Sequence, residues 1–415
     1  MRFAVRAQRA GRFVDVGVIE TKPAYGPQFT YAESWLEAEP PCPLSLSLPL
    51  RGQAYPEKAL RPYFEGLLPE EDARSAVARE LGLPSTGYLR LLGALGRECI
   101  GAVMVLAEDD EGPGGETPGY VPLSDEELEH LAAAEYARAS ELACASRLSL
   151  AGAQAKTGLC HDPASGAWLR PVGTAPSNCI VKPASSRFPS LVENELFCMS
   201  LARACGIAAA SCRLAPTRTP MLVVERYDRV PAEAPCTDGH AGFLRLHQED
   251  FCQALGMFTH SKYEEGGAGY LAAMAQLLRR HSTQAAQDVV RLFELVVFDY
   301  LIGNCDAHVK NFSLLRDASW RELRLAPAYD LASTSIYVEL SQTLGMGIGG
   351  QRRLGLVCRE DFMQLAKDMY LGARAARACI ERMREAVAAF APATAGSDVA
   401  EQIAADALQR VSRLA

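Results

Sequence analysis

Hydrophobic and polar positions change their period along the chain, and the changes mark out its elements. Phe13-Val14-Asp15-Val16-Gly17-Val18-Ile19 alternates in the two-residue rhythm of a strand with one face buried. With the Pro-punctuated stretch behind it, this reads as a small α+β unit over residues 1–106. Glu108-Asp109-Asp110-Glu111-Gly112-Pro113-Gly114-Gly115-Glu116 carries charge and glycine but no apolar period, so a solvated linker is expected over 107–123. Ser124-Asp125-Glu126-Glu127 has the form of a capping box, in which the Ser124 side chain accepts from the amide of Glu127 and starts a helix. Between Leu148 and Asp228 the order reads strand, turn, strand, helix, strand. Cys179-Ile180-Val181-Lys182 and Met221–Glu225 are short strands, and Leu191 to Cys205 has helical spacing. From about residue 245 the chain turns mainly helical. Asp288 to Ile302 places Val289, Leu292, Phe293, Val296, Val297, Phe298 and Leu301 on one broad face, and Gly303 ends it. No internal repeat is present, and 372–412 reads as alanine-rich tail helices. The expected organisation is α+β: 1–106, a linker at 107–123, a second N-terminal part at 124–240, and a helical part at 241–415.

Composition narrows the classes. With 415 residues, 49% of them hydrophobic, the chain can bury a large core. A formal charge of -8 disfavours a surface built to grip a phosphate backbone, which takes clustered Lys and Arg. Thirteen cysteines are an odd number, scattered and without any Cys-x-x-Cys pair, so buried reduced thiols are expected rather than disulfides or structural zinc. Cys198, Cys205 and Cys212 recur every seven residues and read as a small apolar stripe on a helix. No apolar segment follows the first arginines and no run is long enough to span a bilayer, which fits a soluble, cytoplasmic protein.

The chemistry concentrates in Gly303-Asn304-Cys305-Asp306-Ala307-His308-Val309-Lys310-Asn311-Phe312, directly behind the buried helix. In kinases a catalytic Asp followed five residues later by an Asn places a proton acceptor beside the substrate hydroxyl and an amide oxygen on magnesium. Asp306 and Asn311 have that spacing. A second carboxylate must join the metal, and Asp330, in Ala326-Pro327-Ala328-Tyr329-Asp330-Leu331, follows after a hairpin-length stretch containing Trp320. Magnesium keeps several waters and borrows phosphate oxygens, so one amide and one carboxylate suffice. Taken singly, each residue has a plain alternative as a turn, cap or loop-satisfying group; their joint order is what points to phosphoryl transfer. His308 is a further candidate catalytic residue: it either orients Asp306 or the loop, or packs.

The nucleotide side should lie upstream. Leu148-Ser149-Leu150-Ala151-Gly152-Ala153-Gln154-Ala155-Lys156-Thr157 is rich in small residues whose backbone can approach phosphates, although it lacks the Gly-Lys-Ser/Thr ending of a Walker A loop. Lys182, ending its apolar strand, is placed like the strand lysine that neutralises nucleotide phosphates. Glu195 on the following helix is a candidate ion-pair partner, with Glu193 competing. Val224-Glu225-Arg226-Tyr227-Asp228 would form a hinge whose backbone meets the adenine edge.

These segments resemble a known family, the HipA bacterial toxin kinases. The resemblance is nearly full-length: Ala151 to Thr157, Ile180-Val181-Lys182, Val192-Glu193-Asn194-Glu195, Val224 to Arg229, Gln248 to Gln253, Lys262-Tyr263-Glu264, Leu301-Ile302-Gly303, Asp306 to Asn311 and Tyr329-Asp330-Leu331. In the first hundred residues it includes Pro62 to Pro69 and Gly96 to Val103. The resemblance implies a two-lobed protein-kinase-like fold and an ATP- and Mg2+-dependent serine/threonine kinase. It makes Asp306 the base, puts Asn311 and Asp330 on magnesium, and sets Lys182 and the loop around Gly152 on ATP. Ser149 matches a serine that family members autophosphorylate, which would add about two negative charges to the phosphate-binding loop and inactivate it. It further implies a HipB-like helix-turn-helix antitoxin as partner, DNA contacted only through that antitoxin, and a protein substrate, an aminoacyl-tRNA synthetase being the best known. Ala155, often acidic in the family, and Ala307, often glycine, depart from its pattern. Two other readings compete. One is a small-molecule phosphotransferase of the aminoglycoside or choline kinase type, which shares the Asp-x-His-x-x-Asn loop. The other is a catalytically silent antitoxin-binding module.

Overall fold

A computed structural model describes residues 1–108, 118–232 and 242–415. Most of the expected linker, and the expected boundary at 240/241, lie outside the described residues. The chain forms two compact units: residues 1–184, 214–259 and 315–321 make unit 1, and residues 185–213, 260–314 and 322–415 make unit 2.

Unit 1 begins with an antiparallel sheet of β1 (Arg2–Arg9), β2 (Arg12–Lys22), β3 (Gly26–Tyr31), β4 (Tyr55–Pro56) and β5 (Val103–Ala107), in the order β4-β3-β2-β1-β5. Alternation along β1 turns Phe3, Val5 and Ala7 into a core, and on β2 a bulge at Val16 resets the phase so that both Val16 and Ile19 join it, together with Phe29, Trp35, Tyr63 and Phe64. Trp320 joins the same core, stacked on His247 with ring centroids 4.4 Å apart. A second sheet lays Met221–Glu225, Cys179–Pro183, Thr157–His161, Trp168–Val172 and Gly119–Pro122 side by side in that order. The capping box forms as expected: Ser124 accepts from the amide of Glu127 and the helix Asp125–Ala133 follows.

Unit 2 is built on the helix Ala285–Ile302, buried along most of its length. Gly303 ends it at φ +75°, and a Cβ there would press on Ser335 and Arg410, so both conformation and space demand glycine. Leu191–Ala204, Ala373–Thr394 and Asp398–Arg413 pack together in this unit.

The two units interleave segments from along the chain. Met221–Glu225 is hydrogen-bonded to Cys179–Pro183 and so carries residues up to Thr259 into unit 1. Leu191–Ala204 instead packs on the C-terminal helices, although the sequence groups it with 124–240. The described cysteines are all free thiols. The seven-residue cysteine stripe holds only Cys198 and Cys205: the helix ends at Ala204, Gly206 turns at φ +81°, and Cys212 lies in a strand. Among the described residues no helix is long and apolar enough to cross a membrane.

Candidate active site

The loop behind Gly303 in unit 2 is held by its own polar groups. The Asn304 side chain donates to Asp299 Oδ1 at 2.8 Å and accepts from the Asp306 amide at 3.1 Å. The Cys305 amide donates to Thr334 Oγ1 at 2.7 Å, and the Cys305 carbonyl accepts from Gly345 at 2.7 Å. Asp299 is buried beneath the loop; burial pushes its carboxyl up to about 7, against the pull of the Asn304 hydrogen bond. Asp306 stands exposed at the loop's crest. Its Oδ1 accepts from the Tyr263 hydroxyl at 2.7 Å.

Asn311 closes a short 3-10 turn, Val309–Asn311, and its Nδ2 donates to the Asp306 carbonyl at 3.1 Å. That bond uses the amide nitrogen and leaves Oδ1 as the group an oxygen-seeking cation would take. Asp330 is partly exposed and held at φ +59°, a conformation that Asp tolerates better than most residues. Its neighbour Tyr329 reaches back to the end of the loop that bears Asp306 and Asn311, with its hydroxyl 2.7 Å from both the Lys310 carbonyl and Ser313 Oγ. Three residues on, Asn194 clasps Ser333, accepting from its amide at 2.8 Å and donating to its carbonyl at 2.9 Å. The segments bearing Asp306, Asn311 and Asp330 are thereby tied together. A carboxylate and an amide oxygen form a donor set that suits magnesium.

His308 is buried, its ring meeting Tyr263 edge-on at 5.1 Å between centroids. Spacing does not single out Tyr263 or Asn194 as site residues: each reaches the site from far upstream, and only the family resemblance at Lys262-Tyr263-Glu264 and Val192 to Glu195 touches them.

In unit 1, Ser149 is fully buried; its hydroxyl donates to the Leu67 carbonyl and its amide to the Glu98 carbonyl, both at 2.7 Å. The Gly152 carbonyl accepts from the Glu70 amide at 3.0 Å. Gly152 sits at φ +105°, and a Cβ there would lie 2.5 Å from Lys156 Nζ, so the ammonium lies close over the loop backbone. Ala151, Ala153, Gln154 and Lys156 are partly exposed, whereas Ala155 is buried. Lys182 is buried in its strand, paired in register with Leu222. In unit 2, Glu195 is buried and Glu193 is half-exposed.

The expected hinge lies wholly inside unit 1. Glu225 is exposed, and the half-buried Tyr227 donates its hydroxyl to Gln248 Oε1. Asp228 belongs to a buried ion cluster. Its carboxylate meets Arg226 at 2.8 Å, Arg229 at 2.9 Å and the Gly101 amide at 2.7 Å. Burial alone would push its pKa up, but Arg226 and Arg229 hold it well below the usual carboxylate range. Arg226, Arg229 and Arg245 also converge on buried Glu98. The Asp228 carboxylate thereby holds the segment in place.

Known proteins resemble the chain along most of its length. Residues 148–390 match the HipA-like C-terminal domain and 12–106 the HipA N-terminal domain. Sinorhizobium fredii Y4mE is 39% identical over 350 residues, covering 83% of this chain and 81% of that protein. The Shewanella oneidensis serine/threonine-protein kinase toxin HipA is 28% identical over 343 residues, covering 77% of this chain and 72% of the toxin. A solved complex of Shewanella oneidensis HipA with HipB and operator DNA gives a TM-score of 0.80 at 22% identity, covering 99% of this chain and 97% of that one. The fold defines a kinase-like protein. More narrowly, the chain belongs to the HipA family.

Proposed function

We propose that the chain is an ATP- and Mg2+-dependent serine/threonine protein kinase that arrests growth by phosphorylating a host protein. The observation that carries this reading is the tethering of Asp306: its amide is bonded to Asn304, its carbonyl to Asn311 and its carboxylate to Tyr263. A carboxylate so held can accept the proton of an acceptor hydroxyl as that oxygen attacks the γ-phosphate. Asn311 and Asp330 would hold the magnesium, which neutralises charge on the phosphates. Lys182, Lys156 and the amides from Ala151 to Gln154 would bind the ATP phosphates. Glu195, Glu225 and Tyr227 complete the nucleotide side, and the ordinary place of action is the cytoplasm.

The relative solved with HipB and operator DNA supports a HipB-like antitoxin as partner, with DNA reached through it. Ser149 is the proposed self-inactivation site. Because its hydroxyl is buried on the Leu67 carbonyl, phosphorylation requires the loop to leave that position, and a phosphate there would keep it from returning.

The test is incubation with labelled ATP, a bacterial lysate and a panel of small alcohols including choline and an aminoglycoside, for wild type and Asp306→Ala. Label in protein, abolished by Asp306→Ala together with growth arrest, is expected. Label in a small alcohol alone would give the phosphotransferase reading instead, and arrest that survives Asp306→Ala would give the silent module. Mass spectrometry after prolonged ATP exposure should find phosphate on Ser149, and its absence refutes the switch.

A further inference from the structure

We infer that Tyr263 is the positioning residue for the general base, its phenol hydroxyl setting the rotation of the Asp306 carboxylate. This rests on the kinase reading above and deepens it. The bonds from Asn304 and Asn311 grip the amide and carbonyl of Asp306, which fixes its main chain but not its side-chain torsions. Asp306 is exposed, so packing does not choose its rotamer. The Tyr263 hydroxyl acts on the carboxylate itself, at 2.7 Å from Oδ1.

Tyr263 can do this because it stands on a stiff support while remaining 40% exposed. On one side of it the Lys262 carbonyl accepts from Val309 at 3.3 Å. On the other, the Glu264 amide donates to Gly345 at 2.8 Å, and the buried Glu264 carboxylate accepts from Gly269 at 2.7 Å and Gly347 at 2.9 Å. The ring then meets His308 edge-on. His308 accordingly serves the base indirectly, as the wall that holds Tyr263. A phenol is well matched to this role: it donates across the working pH range, its reach is fixed by a rigid ring, and a bond to a carboxylate is charge-assisted.

The decisive variant is Tyr263→Phe, which keeps the ring and removes the donor. Fixing one of a handful of rotamers, with loss of one charge-assisted bond, is expected to lower kcat about 10-fold. KM for ATP and the magnesium concentration for half-maximal rate should stay within about twofold, and the melting temperature should be unchanged. A merely structural role would move the melting temperature or both kinetic constants. An unchanged kcat overturns the inference, as does a raised kcat, which would make the phenol a blocking occupant. Phosphate on Tyr263 would make it an acceptor and overturn it equally. Crystal structures of both forms supply a readout independent of turnover. The Asp306 carboxylate should take one rotation in wild type and a different one in Tyr263→Phe; one shared rotamer refutes the inference. If wild type transfers no phosphate at all, the kinase reading fails, and the rotamer comparison still decides this one.

Discussion

Replacing Glu98 by Gln preserves shape and removes one charge from the centre of unit 1. The Glu98 carboxylate accepts from Arg226 at 3.2 Å, Arg229 at 2.9 Å, Arg245 at 3.0 Å, and both the amide and hydroxyl of Ser177 at 3.1 Å. Burial alone would push its pKa up, but Arg245, Arg229 and Arg226 together hold it at about 2. Against an ordinary value of 4.5, that depression is worth about 3 kcal/mol at roughly 1.4 kcal/mol per unit. A second route agrees: breaking a buried ion pair by removing one partner costs about 3–5 kcal/mol. In Glu98→Gln three buried guanidiniums face one remaining carboxylate, Asp228, and the amide turns a donor toward at least one of them. In a unit of this size about 3 kcal/mol lowers the melting temperature by about 10 °C. The native pKa is depressed, so the contribution is complete above the unfolded value and is lost as pH falls through about 2. The gap between wild type and variant should therefore be full at pH 7 and shrink at pH 3. Circular dichroism melts at both pH values measure it, and hydrogen exchange at the Ser149 amide, bonded to the Glu98 carbonyl, reports whether the loop loosens with the cluster. A variant melting within about 2 °C of wild type at pH 7 would refute the reasoning.

Asp299→Asn should act in the opposite sense: a native pKa raised to about 7 by burial means stability falls as pH rises from about 4 to 7, by up to about 4 kcal/mol. The variant should melt above wild type at pH 8 and level with it near pH 4, and a pH-independent gap would exclude this origin. Gly152→Ala forces a Cβ onto φ +105° and toward Lys156 Nζ, so ATP affinity measured by calorimetry should fall roughly 5- to 10-fold with little change in melting temperature. Asn194→Ala leaves the buried amide and carbonyl of Ser333 without their partner; a loss of about 2–4 kcal/mol in urea unfolding is expected, together with a higher magnesium concentration for half-maximal activity, because the proposed ligand Asp330 lies three residues away.

What was legible in the sequence was whatever depends on local period or on a short spacing. Asp288 to Ile302 is a helix because its apolar positions recur at three and four, and Gly303 stops it because only glycine fits there. Asp306 and Asn311 could be paired from five residues of separation, since one turn of loop brings the amide of one to the carbonyl of the other. Contacts that close over long separations left no such mark. Tyr263 reaches Asp306 across 43 residues, and nothing in the composition of its segment distinguishes it from a packing aromatic. Asp228 is expected in a hinge whose backbone meets the adenine edge; the bond its carboxylate accepts from Gly101, far upstream, leaves no mark in the sequence. The cysteine period misled for a related reason: a seven-residue spacing implies one helix only if no turn intervenes, and Gly206 intervenes.

The loop around Ser149 bears on why the first hundred residues accompany the rest. A run of Ala and Gly has few side-chain groups with which to fix itself, and freezing its backbone costs about 1–2 kcal/mol per residue. Backbone groups of Leu67, Glu70 and Glu98 anchor it, all within the stretch that matches the HipA N-terminal domain. Each such bond returns only about 1 kcal/mol, so three of them offset part of the ordering cost without overwhelming it. A loop held to this degree fits the proposed roles of presenting its amides and of yielding to a charged modification at Ser149. Under the proposed function the N-terminal sheet and its helices would serve the phosphate-binding loop: their cores hold the three backbone groups in register, and without them a loop of this composition has no reason to adopt one conformation.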